Sequence, residues 1–133
     1  MANFGVNGAV TLYHDNVSTL ETSSTGISIT GNLSVSGAIV ANGDVTAFSD
    51  ERLKSDVKTI DNALDKVMNM RGVSYTKQAE KGIGVIAQEV EKIIPEVVTD
   101  GEYKSVAYGN MVGVLIEAIK EQQKQIDELK KDK

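Results

Sequence analysis

The sequence predicts an α+β chain in three parts. They are an N-terminal trimeric β-stalk of six-residue repeats, a small mixed α/β domain, and a long C-terminal helix forming a trimeric coiled coil. Three observations carry this. Composition breaks near residue 48: residues 1–48 hold no Lys or Arg and only three acids, Asp15, Glu21 and Asp44, whereas all 14 basic residues lie in 49–133. A glycine recurs at every sixth position, Gly31, Gly37 and Gly43. Near the end, apolar residues step by four and three. The break is a domain boundary in the making. It divides the chain into 1–48, the end of a β-rich fibre stalk, and 49–133, a separate folding unit.

Within the first part, Val10-Thr-Leu-Tyr-His14 alternates like a strand, and Asp15-Asn16 supplies turn chemistry. Ile27, Leu33, Ile39 and Val45 keep the six-residue step, as do Ile29, Val35, Ala41 and Ala47. Alternation inside each unit puts its two apolar residues on one face of a strand. Glycine at a fixed step points to a positive φ or to close backbone approach. One strand per repeat cannot cover its own apolar face. Three chains wound about an axis would cover it and remove free edges. Residues 25–47 are therefore expected to be an intertwined stalk, with a flexible Gly/Ser/Thr linker as the competing reading. The segment reads as the end of a longer fibre protein.

After Phe48 the pattern is that of a globular domain. Residues 61–70 read as a helix, with Asp61 as N-cap, Leu64, Val67 and Met68 as the apolar face and Gly72 as the stop. Val73-Ser-Tyr-Thr76 reads as a strand, with a turn through Glu80-Lys-Gly82 and a second strand over 83–87. A helix from Gln88 to Ile94 ends at Pro95. Val97-Val98, Asp100-Gly101 and residues 103–108 suggest a hairpin. Residues 108–131 form the long helix. Tyr108, Val112, Leu115, Ile119, Gln122, Ile126 and Leu129 make a heptad seam, flanked by Glu117, Glu121, Lys124 and Lys131. The competing reading packs this seam on the chain's own domain. Tyr75, Tyr103 and Tyr108 are expected in the core or in trimer contacts, and Met68, Met70 and Met111 as packing residues. The Lys130–Lys133 end is expected to be a solvated tail suited to a helix C-terminus.

Composition also bounds the chemistry. With no Cys and one His, His14, in 133 residues, a thiol nucleophile, a disulfide framework, a Cys-ligated metal and a Ser-His-Asp triad all lose their parts. No cofactor or metal is expected. A net charge of −5 without a basic cluster argues against nucleic acid as partner. No apolar run has membrane-spanning length, so no membrane partner is expected. No phosphate-binding loop is present. Ser and Lys remain: Ser49 and Lys54, at the compositional break. A serine needs a base to take its proton. A lysine can be that base only after losing its own, which desolvation or a neighbouring cation such as Arg52 promotes. The plain alternative is a helix cap at Ser49 followed by a solvated first turn.

The run Ser49-Asp50-Glu51-Arg52-Leu53-Lys54 resembles the S-D-x-R-x-K opening of the self-cleaving, C-terminal intramolecular chaperone domains of phage tailspikes and tail fibres. Gly84-Val-Ile-Ala-Gln-Glu-Val90 is similar to that family's G-x-x-A-Q-E-V segment, and the likeness extends to Lys104-Ser-Val-Ala-Tyr108 and the long helix. The resemblance implies a homotrimer that templates folding of the upstream fibre segment of the same chain and then cuts itself off. Ser49 would be nucleophile and Lys54 general base in a Ser-Lys dyad. The cut would fall beside Ser49, at Phe48–Ser49 or Ser49–Asp50. Asp50 and Arg52 would shape the site; Gln88 and Glu89 would pack near it or simply start a helix. The protein would be a phage virion component, assembled in the host cytoplasm, with the cleaved domain not retained. An uncleaved trimeric fibre tip for receptor contact, or a plain oligomerisation module, is the alternative function.

Overall fold

A computed structural model of the single chain describes residues 1–6 and 8–131. Asp132 and Lys133, the last residues of the expected tail, lie outside the described residues. The chain divides into two compact units, Met1–Ser49 and Asp50–Lys133.

The first unit is an antiparallel meander of β1 (Ala2–Phe4), β2 (Val10–His14), β3 (Val17–Ser23) and β4 (Gly26–Ile29), in that spatial order. The expected strand at 10–14 is present. The turn after it places Asp15 and Asn16 at φ 46° and 63°. Such left-handed pairs suit the twist of a tight hairpin, and Asp and Asn tolerate them. A register shift interrupts the β2–β3 ladder at Leu12/Tyr13. The amide of Val10 donates to Thr22 Oγ1 at 2.9 Å.

The first copy of the six-residue repeat joins this meander, since Ile27 pairs with Thr22 and Ile29 with Leu20. Beyond it, residues 32–48 form no strand in the single chain. Their apolar positions stand bare, with Leu33 65% and Ile39 72% exposed. Gly31 has φ +115°, so the positive-φ explanation holds there. Gly37 and Gly43 lack a positive φ, and a Cβ on either would meet open space. Nothing within one chain requires glycine at those two positions.

The second unit is built on two helices. α1 spans Ala63–Asn69 and α3 spans Met111–Lys131, with the short α2, Ala87–Val90, between them in sequence. The core consists of Ala63, Val90, Ile94, Val97, Val114 and Ala118, with Ile60, Leu64, Val67, Met70 and Met111 packed against it. Met68 departs from expectation: it points to solvent at 76% exposure. Ala63, Val67 and Met70, not Met68, share the inward stripe, at the i, i+4, i+7 spacing of one helix face. Gly72 is not the stop either. The chain leaves the helix at Met70, which is already extended.

β5 (Val73–Lys77) and β6 (Glu80–Gly84) form a hairpin. Its turn is Gln78–Ala79, both at positive φ, rather than Glu80–Gly82. Lys77 pairs with Glu80, so the residues read as a turn belong to the strand. The regular part of the helix expected over 88–94 is only α2. Its turns continue through Ile93 and Ile94, whose amides donate to the Val90 carbonyl at 2.9 and 2.8 Å. Pro95 then opens a 3-10 turn, Pro95–Val97. β7 (Val98–Thr99) and β8 (Ser105–Val106) make the last hairpin, and a 3-10 turn at Tyr108–Asn110 leads into α3.

α3 carries two apolar stripes. Met111, Val114 and Ala118 face α1 and the core. The heptad seam is a different stripe, roughly 90° away at about 100° per residue. From Val112 onward it is not packed on its own domain: Val112 is 54%, Ile119 65% and Leu129 68% exposed.

Candidate functional site: the turn at Asp50–Lys54

Ser49 closes the first unit and Asp50 opens the second. A single 3-10 turn, Glu51–Leu53, follows, with Leu53 N–H donating to the Asp50 carbonyl at 3.1 Å and Lys54 N–H to that of Glu51 at 3.0 Å. The cap of this turn is Asp50, not Ser49. Its Oδ1 accepts the Arg52 amide at 2.9 Å. The same carboxylate takes a fork from the Arg52 guanidinium, Nε to Oδ1 at 2.9 Å and Nη2 to Oδ2 at 2.6 Å. Arg52's side chain, then its backbone amide, holds the Asp50 carboxyl below its ordinary range. The Arg52 backbone and side chain thus both bind the one Asp50 carboxylate, which fixes the turn locally. Lys54 leaves the turn extended, at φ −123°, ψ 144°. The Arg52 charge is balanced by Asp50, so it is a weak source of the positive field considered for Lys54. Ser49, Arg52 and Lys54 are exposed, and Asp50 is half-buried. Phe48 is 96% exposed.

The other two motifs meet each other. The amide of Val85 donates to Tyr108 Oη at 3.4 Å. A Cβ on Gly84 would lie 2.6 Å from that oxygen, so any larger residue there would force the tyrosine off the strand end. Gln88 and Glu89 lie in α2, as the helix reading had it. Glu89 also receives a two-pronged ion pair from Arg71, which holds its carboxyl below the ordinary value. Lys104 reaches both Glu91 (2.7 Å) and Asp100, which hold its ammonium above the ordinary lysine range, Asp100 most strongly. Tyr103 is solvent-facing rather than core.

One residue has a role not visible in sequence. Glu121, expected as a flanking charge of the seam, caps α1. Its Oε1 accepts the amide of Ala63 at 3.0 Å and its Oε2 that of Leu64 at 2.8 Å. These bonds, the Leu64 amide first, hold its carboxyl below the ordinary value. The expected cap, Asp61, is displaced because Asn62 occupies the cap position in a left-handed conformation and makes no side-chain cap bond. The first amides of a helix need an acceptor, and here a residue 58 positions away supplies it. No local pattern could signal that.

Among the described residues no group of three or more His, Asp or Glu side chains could hold a metal ion. Among the described residues no helix is long and apolar enough to cross a membrane.

Residues 49–99 match the peptidase family S74, described as chaperone of endosialidase. The chain is also similar to long tail fiber proteins Gp37. It is 35% identical to that of Enterobacteria phage K3 over 94 residues, covering 61% of this chain and 8% of the relative. The values for Salmonella phage S16 are 33% over 122 residues, 79% and 16%. For Enterobacteria phage M1 they are 35% over 101 residues, 65% and 40%. The chain thus spans well under two thirds of the length of these relatives. The likeness to C-terminal chaperone domains of phage fibres, read from the Ser49–Lys54 motif, is borne out.

Proposed function

From the premise that residues 49–99 are a chaperone-of-endosialidase segment, we propose that the second unit is the C-terminal chaperone of a phage tail fibre. It assembles three chains, aligns the upstream β-stalk and frees itself by autoproteolysis beside Ser49. The carrying observation is the bare heptad seam on α3, next to a stripe already packed on α1. A helix that has satisfied its own domain and still presents Val112, Leu115, Ile119, Ile126 and Leu129 to water suits self-association. Gly37 and Gly43, unexplained within one chain, suit the close approach of neighbouring backbones in a wound stalk.

The proposed reaction is an intramolecular acyl transfer. Ser49 Oγ attacks the Phe48 carbonyl carbon, closing a five-membered ring, while neutral Lys54 Nζ takes the hydroxyl proton. The Phe48–Ser49 C–N bond breaks, the freed amine takes a proton back, and water hydrolyses the resulting ester to a Phe48 carboxylate and the Ser49 hydroxyl. Attack of Ser49 on its own carbonyl would need a four-membered ring, which favours Phe48–Ser49 over Ser49–Asp50 for reaction within one chain. Asp50 and Arg52 shape the turn that sets the distance between the two reactive groups. Folding replaces substrate binding, so positioning supplies the rate. Stalk assembly from separate chains has high contact order, and a joined C-terminal trimer raises local concentration and sets register. Cutting then removes the route back and leaves a kinetically trapped fibre in the virion.

Intact mass over time tests this. Wild type should yield two fragments joining at residue 48, while Ser49→Ala and Lys54→Ala stay whole and Ile119→Asp fails to trimerise. A wild type that stays whole while forming a stable trimer refutes autoproteolysis and leaves the uncleaved trimeric tip.

A further inference from the structure

Asparagine followed by glycine is a reactive pair, because the glycine nitrogen has no neighbouring Cβ to shield it from the asparagine side chain. The chain holds two such pairs, Asn7-Gly8 and Asn42-Gly43. Asn7 lies outside the described residues. Its glycine is held: the Gly8 amide donates to the Gly5 carbonyl at 3.1 Å, in the connection between β1 and β2. The second pair stands differently. Asn42 and Gly43 are exposed, in the stretch 32–48 that forms no strand. A Cβ on Gly43 would meet open space. Among the described residues no turn or loop partner engages the Gly43 amide. Asn32 shares this stretch, but Leu33 follows it with a branched side chain.

We propose that Asn42 is a self-modification site, at which the chain converts its own side-chain amide to a carboxylate. The Gly43 nitrogen attacks Asn42 Cγ and gives up its proton to solvent base. The new N–Cγ bond closes a five-membered imide ring, and Nδ2 leaves as ammonia after taking a proton from water. Water then opens the ring. Addition at Cγ restores the original peptide bond and leaves aspartate. Addition at the backbone carbonyl leaves isoaspartate, in which the chain runs through the side-chain carbon. Ring closure needs the Asn42 backbone to turn until nitrogen and Cγ meet, a placement that a strand ladder forbids and an unpaired segment permits. The location gives the reaction a consequence. Residues 1–48 contain no Lys or Arg, so the new carboxylate has no lysine or arginine in its own segment to pair with. Isoaspartate also adds a backbone atom between Ala41 and Gly43. In the stalk proposed above that atom offsets the six-residue step of Gly37 and Gly43, so a chain left unassembled loses its register with age. This consequence, unlike the reaction, rests on the stalk reading.

The test is peptide mapping by mass spectrometry of the full chain in a Ser49→Ala background, incubated at neutral and mildly alkaline pH. Isoaspartate is identified by its own backbone fragment ions. The peptide holding Asn42 should gain the mass difference of OH over NH2 with release of ammonia, faster as pH rises. Asn42 should convert about two- to tenfold faster than Asn7, the factor that one hydrogen bond on the Gly8 amide supplies. Asn32 should convert more slowly than Asn42. Gly43→Ala, which the open space at Gly43 admits within one chain, should slow the conversion, and Asn42→Gln should all but abolish it. Conversion of Asn42 no faster than that of Asn7 or Asn32 would overturn the proposal. Adding Ile119→Asp in the same background separates the site from the stalk. Slower conversion in assembled chains than in Ile119→Asp chains upholds protection of Asn42 by the stalk. Equal rates leave the modification site standing and refute an ordered stalk over 37–48.

Discussion

Replacing Gly84 by alanine should destabilise the second unit through one identifiable atom. The added Cβ would sit 2.6 Å from Tyr108 Oη and 3.4 Å from Tyr75 Cε1. Only the first distance is impossible; the second is tight but tolerable. Tyr108 must swing away, abandoning its bond to the Val85 amide at 3.4 Å. Tyr108 is 54% exposed, so it has room to move, and the cost belongs at the lower end of overpacking, about 1–2 kcal/mol. For a domain of this size that is a fall in Tm of roughly 4–8 °C per kcal/mol. Tyr108→Phe removes the offending oxygen and forfeits only a long, weak hydrogen bond, so by itself it should cost about 0.5 kcal/mol. With the oxygen gone, the nearest Tyr108 atom is Cζ at 3.7 Å. The double variant should therefore be more stable than the sum of the single effects by about 1 kcal/mol. The assay is thermal and urea denaturation followed by helical circular dichroism, at fixed chain concentration and in a Ser49→Ala background. Additive effects would refute the reasoning, because they would mean that the tyrosine does not occupy the space over Gly84.

Two further outcomes follow from particular residues. The β5–β6 turn places Gln78 and Ala79 at φ 51° and 68°, where side chains other than Gly and Asn are strained. Converting the pair to Asn-Gly should raise stability by up to about 1 kcal/mol, measured as a higher urea midpoint with unchanged slope. Glu121 is held below its ordinary value of 4.5 by the α1 amides, with Lys66 a smaller contributor. A depressed carboxyl contributes stability that is present above its unfolded value and is lost as pH falls through its folded one. Leu64 amide protection should thus be flat from neutral pH down to the glutamate range and decline below about 4.5. Glu121→Gln should remove that acid limb; persistence of the same decline in the variant would assign it to other carboxylates.

Much of the secondary structure was legible because it is local. The strand at 10–14 follows from alternation, and the Asp15–Asn16 turn from the tolerance of both residues for positive φ. The long helix follows from its heptads, and its two short hairpin strands from residues flanking Asp100-Gly101. Where local chemistry is silent, the fold departs from the sequence expectation. Gln78-Ala79 carries no turn signal, whereas the nearby Gly82 does. Met68 neighbours the apolar Leu64 and Val67, but the inward stripe passes through Ala63, Val67 and Met70. Of the candidate site, the sequence named the turn residues. It could not tell that Asp50 rather than Ser49 is the cap, because both are good caps and the choice depends on backbone direction.

Sequence alone determined that this chain is two dissimilar parts. It also determined that Ser and Lys are the groups left for nucleophilic chemistry, since Cys is absent and His single. Both follow from which atoms are present and in what order. Tertiary structure alone decided which stripe of α3 is used inside the chain and which remains bare. Two apolar stripes on one helix look alike in sequence, and only the position of α1 distinguishes them. It decided also that Glu121 serves the amides of Ala63 and Leu64. A helix end must find acceptors, but which distant carboxylate provides them depends on how the two helices pack.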